Sequence, residues 1–341
     1  MRVRTRLLEF LFPVETDSWL AALRVGLGLQ VTLYSLSLRD DWAYLFSGTA
    51  RKLAEALLSL ESHLIPRFGW LIALGGRVGL QEKTLLFLAW ACLLAAGCGL
   101  VVGVASRVSA IAAWFLHLCA AKSGGFISYG MDNFVTIGLF YLMLLPLPDR
   151  FSLDWRLRAL RPKNPQLLGF WRRVLQLHLC LIYFFSGLSK CLGAGWWNGS
   201  NVWRALIRPP FNVIDPEILV RWKDLLPLAG IFVCLLESGY PFLIWSNRTR
   251  KIWLFGICAM HLLIGVAMGM YLFSLVMIVL NVAAFGPGLF AERAKRSRYS
   301  LRLLLRNVVK LLCCLQLLAP EAVIIIRPKR ECCRHASGSD A

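Results

Sequence analysis

The chain has 341 residues, of which 58% are apolar, with a mean hydropathy of +0.62 and a formal net charge of +19. Water-soluble domains are about 45–50% apolar, and the excess here is gathered into long stretches with at most one charged residue, which excludes a soluble globular fold. Lys and Arg cluster between those stretches and no nucleic-acid motif is present, so the charge reads as membrane orientation and headgroup anchoring, with no nucleic acid as partner.

Residues 1–18 open with Arg2, Arg4 and Arg6 and read as a cytoplasmic N-terminus. The apolar run that follows is longer than a signal-peptide core and lacks a small-residue cleavage site, so it is expected to stay as the first span. A membrane-crossing helix needs about 20 apolar residues, and continuous Leu-rich runs point to helices rather than a barrel. The predicted spans are 19–38, 85–104, 108–121, 134–147, 174–188, 225–245, 252–267 and 271–285. The last two come from one uncharged run, 252–291, about 60 Å long as a single helix and twice the membrane; Met268-Gly269-Met270 is its natural turn. The predicted fold is an all-α integral membrane protein, a polytopic bundle of about eight transmembrane helices over residues 19–290.

Between the first two spans, Leu53, Ala56, Leu57 and Leu60 repeat at helical spacing and predict a helix on the outer surface. Residues 291–341 form a basic cytoplasmic tail in which Leu301, Leu304, Leu305, Val308 and Val309 alternate with Arg302, Arg306 and Lys310, the pattern of an interfacial helix. With both ends inside, the inner segments hold 25 of the 38 Lys and Arg residues and the outer ones 12, with Arg24 inside a span. This is the bias of cytoplasmic loops. No internal repeat is present, which weighs against a transporter. Cys92, Cys98, Cys119, Cys180, Cys234 and Cys258 lie within apolar runs as small hydrophobes.

Ionisable groups in lipid are costly and each needs a reason. In the fifth span Gln176, Tyr183 and Lys190 are seven apart, nearly two turns, so they share one face with Ser186. Lys190 is either a snorkelling anchor at the outer headgroups or a desolvated lysine able to act as a base. His261 lies near the middle of the seventh span, ~13 Å deeper than Lys190 by helical rise. His117 and His178 read as core hydrogen-bonders, and no two histidines have metal-ligand spacing, so no metal is predicted. Arg24 and Glu237 lie at matching depths in antiparallel spans and are expected to form a structural ion pair. Asp132 opens the fourth span, as its N-cap or as a cavity residue, and Ser123-Gly124-Gly125 between two short spans suggests a cavity lining.

At these residues the chain resembles the horizontally transferred transmembrane (HTTM) family, that of the vitamin K-dependent γ-carboxylase. The similarity is carried by Tyr183-Phe184-Phe185-Ser186-Gly187-Leu188-Ser189-Lys190 and then Trp196-Trp197-Asn198-Gly199, like the family's Gly-x-x-Lys span end and its Trp-x-x-Gly loop. Asp132 opening a span that ends at Pro146, Ser152-Leu153-Asp154 beyond it, and His261 ahead of Gly269-Met270-Tyr271-Leu272-Phe273 add to it. Ser189-Lys190 stands where the carboxylase has two lysines, and Asp132-Asn133 where it has Asn-His. The resemblance implies a proton-abstracting Lys190 and a supporting His261, with Gln176, Tyr183, Ser186, Asp132 and Trp196 around the substrate. It implies a reduced quinone as the lipid-soluble partner and a carboxylase-like lyase or oxygenase activity in the cell membrane. The other reading is a non-enzymatic membrane component that helps a partner protein or peptide mature or be exported.

Overall fold

The computed structural model describes residues 2–48, 52, 53, 56, 65–125, 128–158 and 164–287. The expected tail helix, and most of the surface helix expected at Leu53–Leu60, lie outside them. The described residues are helical, without strands. An N-terminal helix α1 (Arg2–Leu11) leads into α2 (Ser18–Ser37). The short α3 (Trp42–Phe46) and α4 (Phe68–Arg77) precede α5 (Glu82–Val102), α6 (Ser106–Ser123), α7 (Gly130–Leu144) and the short α8 (Leu153–Arg158). Next come the long α9 (Pro165–Cys191), three short helices α10 (Ala194–Trp197), α11 (Ser200–Ile207) and α12 (Pro216–Arg221), and then α13 (Leu226–Leu243), α14 (Arg250–Met268) and α15 (Tyr271–Phe285).

Each predicted span coincides with a helix. Among the described residues five stretches are long and apolar enough to cross a membrane: Ser18–Ser37, Glu82–Val102, Pro165–Cys191, Lys223–Leu243 and Arg250–Met268; Gly130–Leu144 and Tyr271–Phe285 are shorter apolar helices. The bundle wears its hydrophobicity outside as well as inside. Phe185, Phe242, Phe255 and Leu263 are each more than 60% exposed, a surface suited to lipid and not to water. The expected turn is present: α14 ends at Met268, and Gly269, at φ +68°, reverses the chain into α15, a conformation glycine adopts without a Cβ penalty.

Helix α2 is the hub, packed on α5, α7 and α15 through Leu20, Leu23, Leu27 and Val31, all fully buried. Helix α13 packs instead on α9. This arrangement overturns the expected Arg24–Glu237 pair. Arg24 Nε donates to Asp149 Oδ2 at 2.6 Å, in the turn after α7, and Nη1 donates to the Leu100 and Val101 carbonyls at the end of α5. Equal depth does not make two helices neighbours, and the nearest carboxylate to Arg24 came from a loop. The Ser152-Leu153-Asp154 segment is structural at the same end. Asp154 accepts from the Ala105 and Ser106 backbone N–H groups at 2.9 and 2.7 Å, holding the start of α6. The predicted N-terminal segment also contains a helix: α1 is held where Arg173 lies 4.3 Å over the Phe10 ring and Phe12 stacks on Phe170.

Candidate functional site

The site forms where the end of α9 crosses α13. Pro165 at its first turn and Asn164, whose side chain accepts from the Gln166 and Leu167 N–H groups, start the helix well before the expected span. Its far end meets the middle of α13 rather than its start. Gly187 crosses at Ser238, twelve residues into α13 and about 18 Å along it. A Cβ on Gly187 would lie 2.5 Å from the Ser238 nitrogen, so only glycine allows this approach. One turn on, Lys190 Nζ reaches Glu237 Oε2 at 2.6 Å and Ser186 Oγ at 2.6 Å. Lys190 is therefore held in an ion pair, with its side chain 18% exposed. Its partner is the carboxylate that had been assigned to Arg24. Pro241, inside α13 four residues after Glu237, has no N–H to give the Glu237 carbonyl, which leaves this helix weakest beside the pair.

The short helices α10 and α11 close the space above Lys190. Gly199, at φ +79°, turns the chain between them and rests on the Pro227 nitrogen at the start of α13. Trp196 is thereby held with its ring 5.4 Å from Lys190 Nζ, a cation–π contact. The motif residues of this loop thus act as a lid support over the lysine.

Below Lys190 lies a cavity of about 470 Å³. Lys190, Glu237, Ser186, Tyr183 and His261 are its polar lining; the rest is apolar, including Phe134, Phe273 and Met277. His261 bonds Tyr183, seven residues and about 10 Å along α9 from Lys190, and one cavity spans both ends of that distance. Phe232 of α13 and Leu263 of α14 line the cavity and are also 53% and 66% exposed, so it opens sideways between these helices toward the apolar surroundings.

The floor is a hydrogen-bonded chain. Asn281 Nδ2 donates to the Met277 carbonyl and to the Tyr183 hydroxyl, both at 2.8 Å. Tyr240 donates its hydroxyl to Asn281 Oδ1 at 2.7 Å, and Tyr183 Oη lies 2.9 Å from His261 Nε2. Asn281 and Tyr240 were missed from the sequence, although Asn281 is the lone amide in the uncharged 252–291 run. Intramembrane polar groups of that kind mark function or packing.

Two expected cavity residues stand elsewhere. Gln176 donates to the Ala284 carbonyl at 2.7 Å and accepts from Arg173 at 2.8 Å, tying α9 to the end of α15 two turns below Tyr183. It shares the face of Lys190 but meets a different helix end. Asp132 lines a separate small cavity of about 110 Å³ with Tyr34, Ser128 and Tyr129. Its carboxylate accepts from the Tyr129 N–H at 2.9 Å, three residues back, so it serves the first turn of α7 rather than Lys190. His117 Nε2 lies 3.7 Å from Asp132 Oδ1, and its other ring nitrogen is 3.1 Å from Thr136. His178 bonds the Tyr141 hydroxyl at 2.8 Å.

No family model, curated protein or solved structure matches the chain.

Proposed function

We propose that the protein is a membrane-embedded enzyme of the HTTM type, with eight membrane-crossing helices in the cell membrane and both ends in the cytoplasm, whose cavity takes a quinol-like, lipid-soluble substrate and deprotonates it at Lys190. One observation carries this reading. A lysine–glutamate pair is set in the wall of an otherwise apolar cavity that opens to the side of the bundle. A buried ion pair stabilises a fold little more than an apolar pair of the same volume would, so its place beside a ligand-sized space calls for a chemical role. Ligand sites combine apolar walls with a few convergent polar groups in this way.

The pair changes how the lysine works as a base. The substrate O–H bond breaks and its proton passes to the Lys190 nitrogen as Lys190 hands one of its own to Glu237 Oε2, 2.6 Å away. Glu237 ends as a carboxylic acid. The substrate oxyanion is left facing the Lys190 ammonium, in a low-dielectric space where that attraction is strong.

The reading is tested by mass spectrometry of small molecules that copurify in mild detergent. Wild-type protein is expected to retain an apolar molecule bearing a hydroxyl, and Ala267→Trp, which fills the cavity, to lose it. Lys190→Arg keeps the ion pair but cannot surrender a proton. It should retain the molecule and turn it over at least ~100-fold more slowly. Equal retention by wild type and Ala267→Trp would sink the proposal. A short peptide retained instead would favour a role in partner maturation or export.

A further inference from the structure

His261 is 3% exposed and lines the cavity, yet its Nδ1 has no hydrogen-bond partner among the described residues. The chain beneath it decides what that nitrogen is. The Met277 carbonyl can only accept, so the Asn281 atom facing it at 2.8 Å is the amide nitrogen, which fixes the orientation of the side chain. The second Asn281 N–H then donates to the Tyr183 hydroxyl, and Asn281 Oδ1 accepts from Tyr240. Among the described residues, the one proton of the buried Tyr183 hydroxyl has a single acceptor in reach, His261 Nε2 at 2.9 Å. With Nε2 accepting, the neutral imidazole carries its proton on Nδ1. A buried N–H donor is thus left without an acceptor among the described residues, on a side chain that lines the cavity. An unsatisfied group of this kind costs the full desolvation penalty.

We infer that the cavity's ligand bears an uncharged oxygen acceptor, a carbonyl or an ether, on an otherwise apolar skeleton, and that His261 Nδ1–H holds this oxygen. The inference rests on the cavity being a ligand site, as proposed above, and adds a second point of recognition far from Lys190. Two features select the class. Lys190 is already neutralised by Glu237, so the cavity has no spare positive charge for a carboxylate or phosphate. Apart from Tyr183, whose hydroxyl is already engaged by His261 and Asn281, the cavity's other polar side chains are Ser186, Lys190 and Glu237 at the far end, so little is left near His261 for the two to four polar partners that an ordered water needs. An oxygen brought in on hydrocarbon satisfies the donor without stranding a water.

The test uses two probes of one shape, 2-acetylnaphthalene and its isopropenyl isostere, in which a CH2 group replaces the carbonyl oxygen. Binding to the purified full chain is measured as depletion against protein-free micelles. The ketone is expected to bind about tenfold more tightly, the effect of pairing one buried donor, and the preference should vanish in His261→Phe. A second measurement does not depend on that variant folding. In protein labelled with 15N-histidine, the His261 signal should show Nδ1 protonated and Nε2 bare, with Nδ1 moving when the ketone is added. Equal binding of the two probes, or a proton on Nε2, overturns the inference and leaves the cavity as a ligand site. Failure of both probes to bind overturns the cavity reading and the inference together.

Discussion

Arg24 and Lys190 are both paired with carboxylates but differ in burial and setting. Arg24, 1% exposed, has Asp149 and two carbonyls around it. Its chemistry is exhausted by the contacts it makes, so it is a structural residue. Lys190 faces empty space with one side of its ammonium. The two pairs make separable predictions. Breaking a buried pair from one side leaves an uncompensated charge and costs about 3–5 kcal/mol. Arg24→Gln and Asp149→Asn should each lower thermal stability in detergent, and the double variant should be far less destabilised than their sum. Arg24→Gln and Glu237→Gln, which share no partner, should add. Thermal melts of the six proteins, wild type included, check this; coupling between Arg24 and Glu237 would contradict the helix arrangement described above.

At the scale of helices, the α9–α13 crossing decides whether a site exists. Glycine at 187 lets two backbones touch, and that contact sets Lys190 opposite Glu237 one turn later. Any side chain there must push α9 off α13. Overpacking of this kind costs about 1–3 kcal/mol. Gly187→Ala is therefore expected to lower stability by that amount and to weaken retention of the cavity molecule. Gly76→Ala in α4, where an added Cβ meets nothing within 4 Å, should leave both unchanged. Melting curves and the copurification assay read the two effects. A Gly187→Ala protein with native stability and full retention would mean that the crossing has slack and that Lys190 is placed by something else. The α10–α11 turn works in the same way at lower stake: Gly199 lets the loop seat on the start of α13, and the seat fixes Trp196.

For the molecule as a whole, the proposed orientation follows from charge, 25 Lys and Arg residues inside against 11 outside once Lys190, paired between helices, is set apart with Arg24. The loops flanking α13 test it with one helix between them. Short epitope tags at Asn212 and Asn247, both exposed, should report opposite sides of the membrane, with Asn247 cytoplasmic. Tags reading the same side would remove α13 as a span, and a reversed pair would invert the molecule.

What the sequence determined by itself was local. Apolar runs specify helices and their approximate ends, because a backbone in lipid has little alternative, and Met268-Gly269-Met270 marks its turn through the backbone freedom of Gly269. The face shared by Tyr183, Ser186 and Lys190 was legible too, because helical periodicity puts them there. Partners were not legible. Depth counting matched Arg24 with Glu237, but pairing depends on which helices touch, and that is decided by side-chain packing summed over the bundle. Gln176 shares the Lys190 face and still misses the cavity, since each turn of one helix meets a different neighbour. The depth of Lys190 required knowing that α9 ends against the middle of α13. Only the folded bundle brings Tyr240, Asn281, Tyr183 and His261, from four different helices, into one directed chain. Hydrogen bonds act over about 3 Å, and no pattern along the chain encodes distances that short between residues so far apart in sequence.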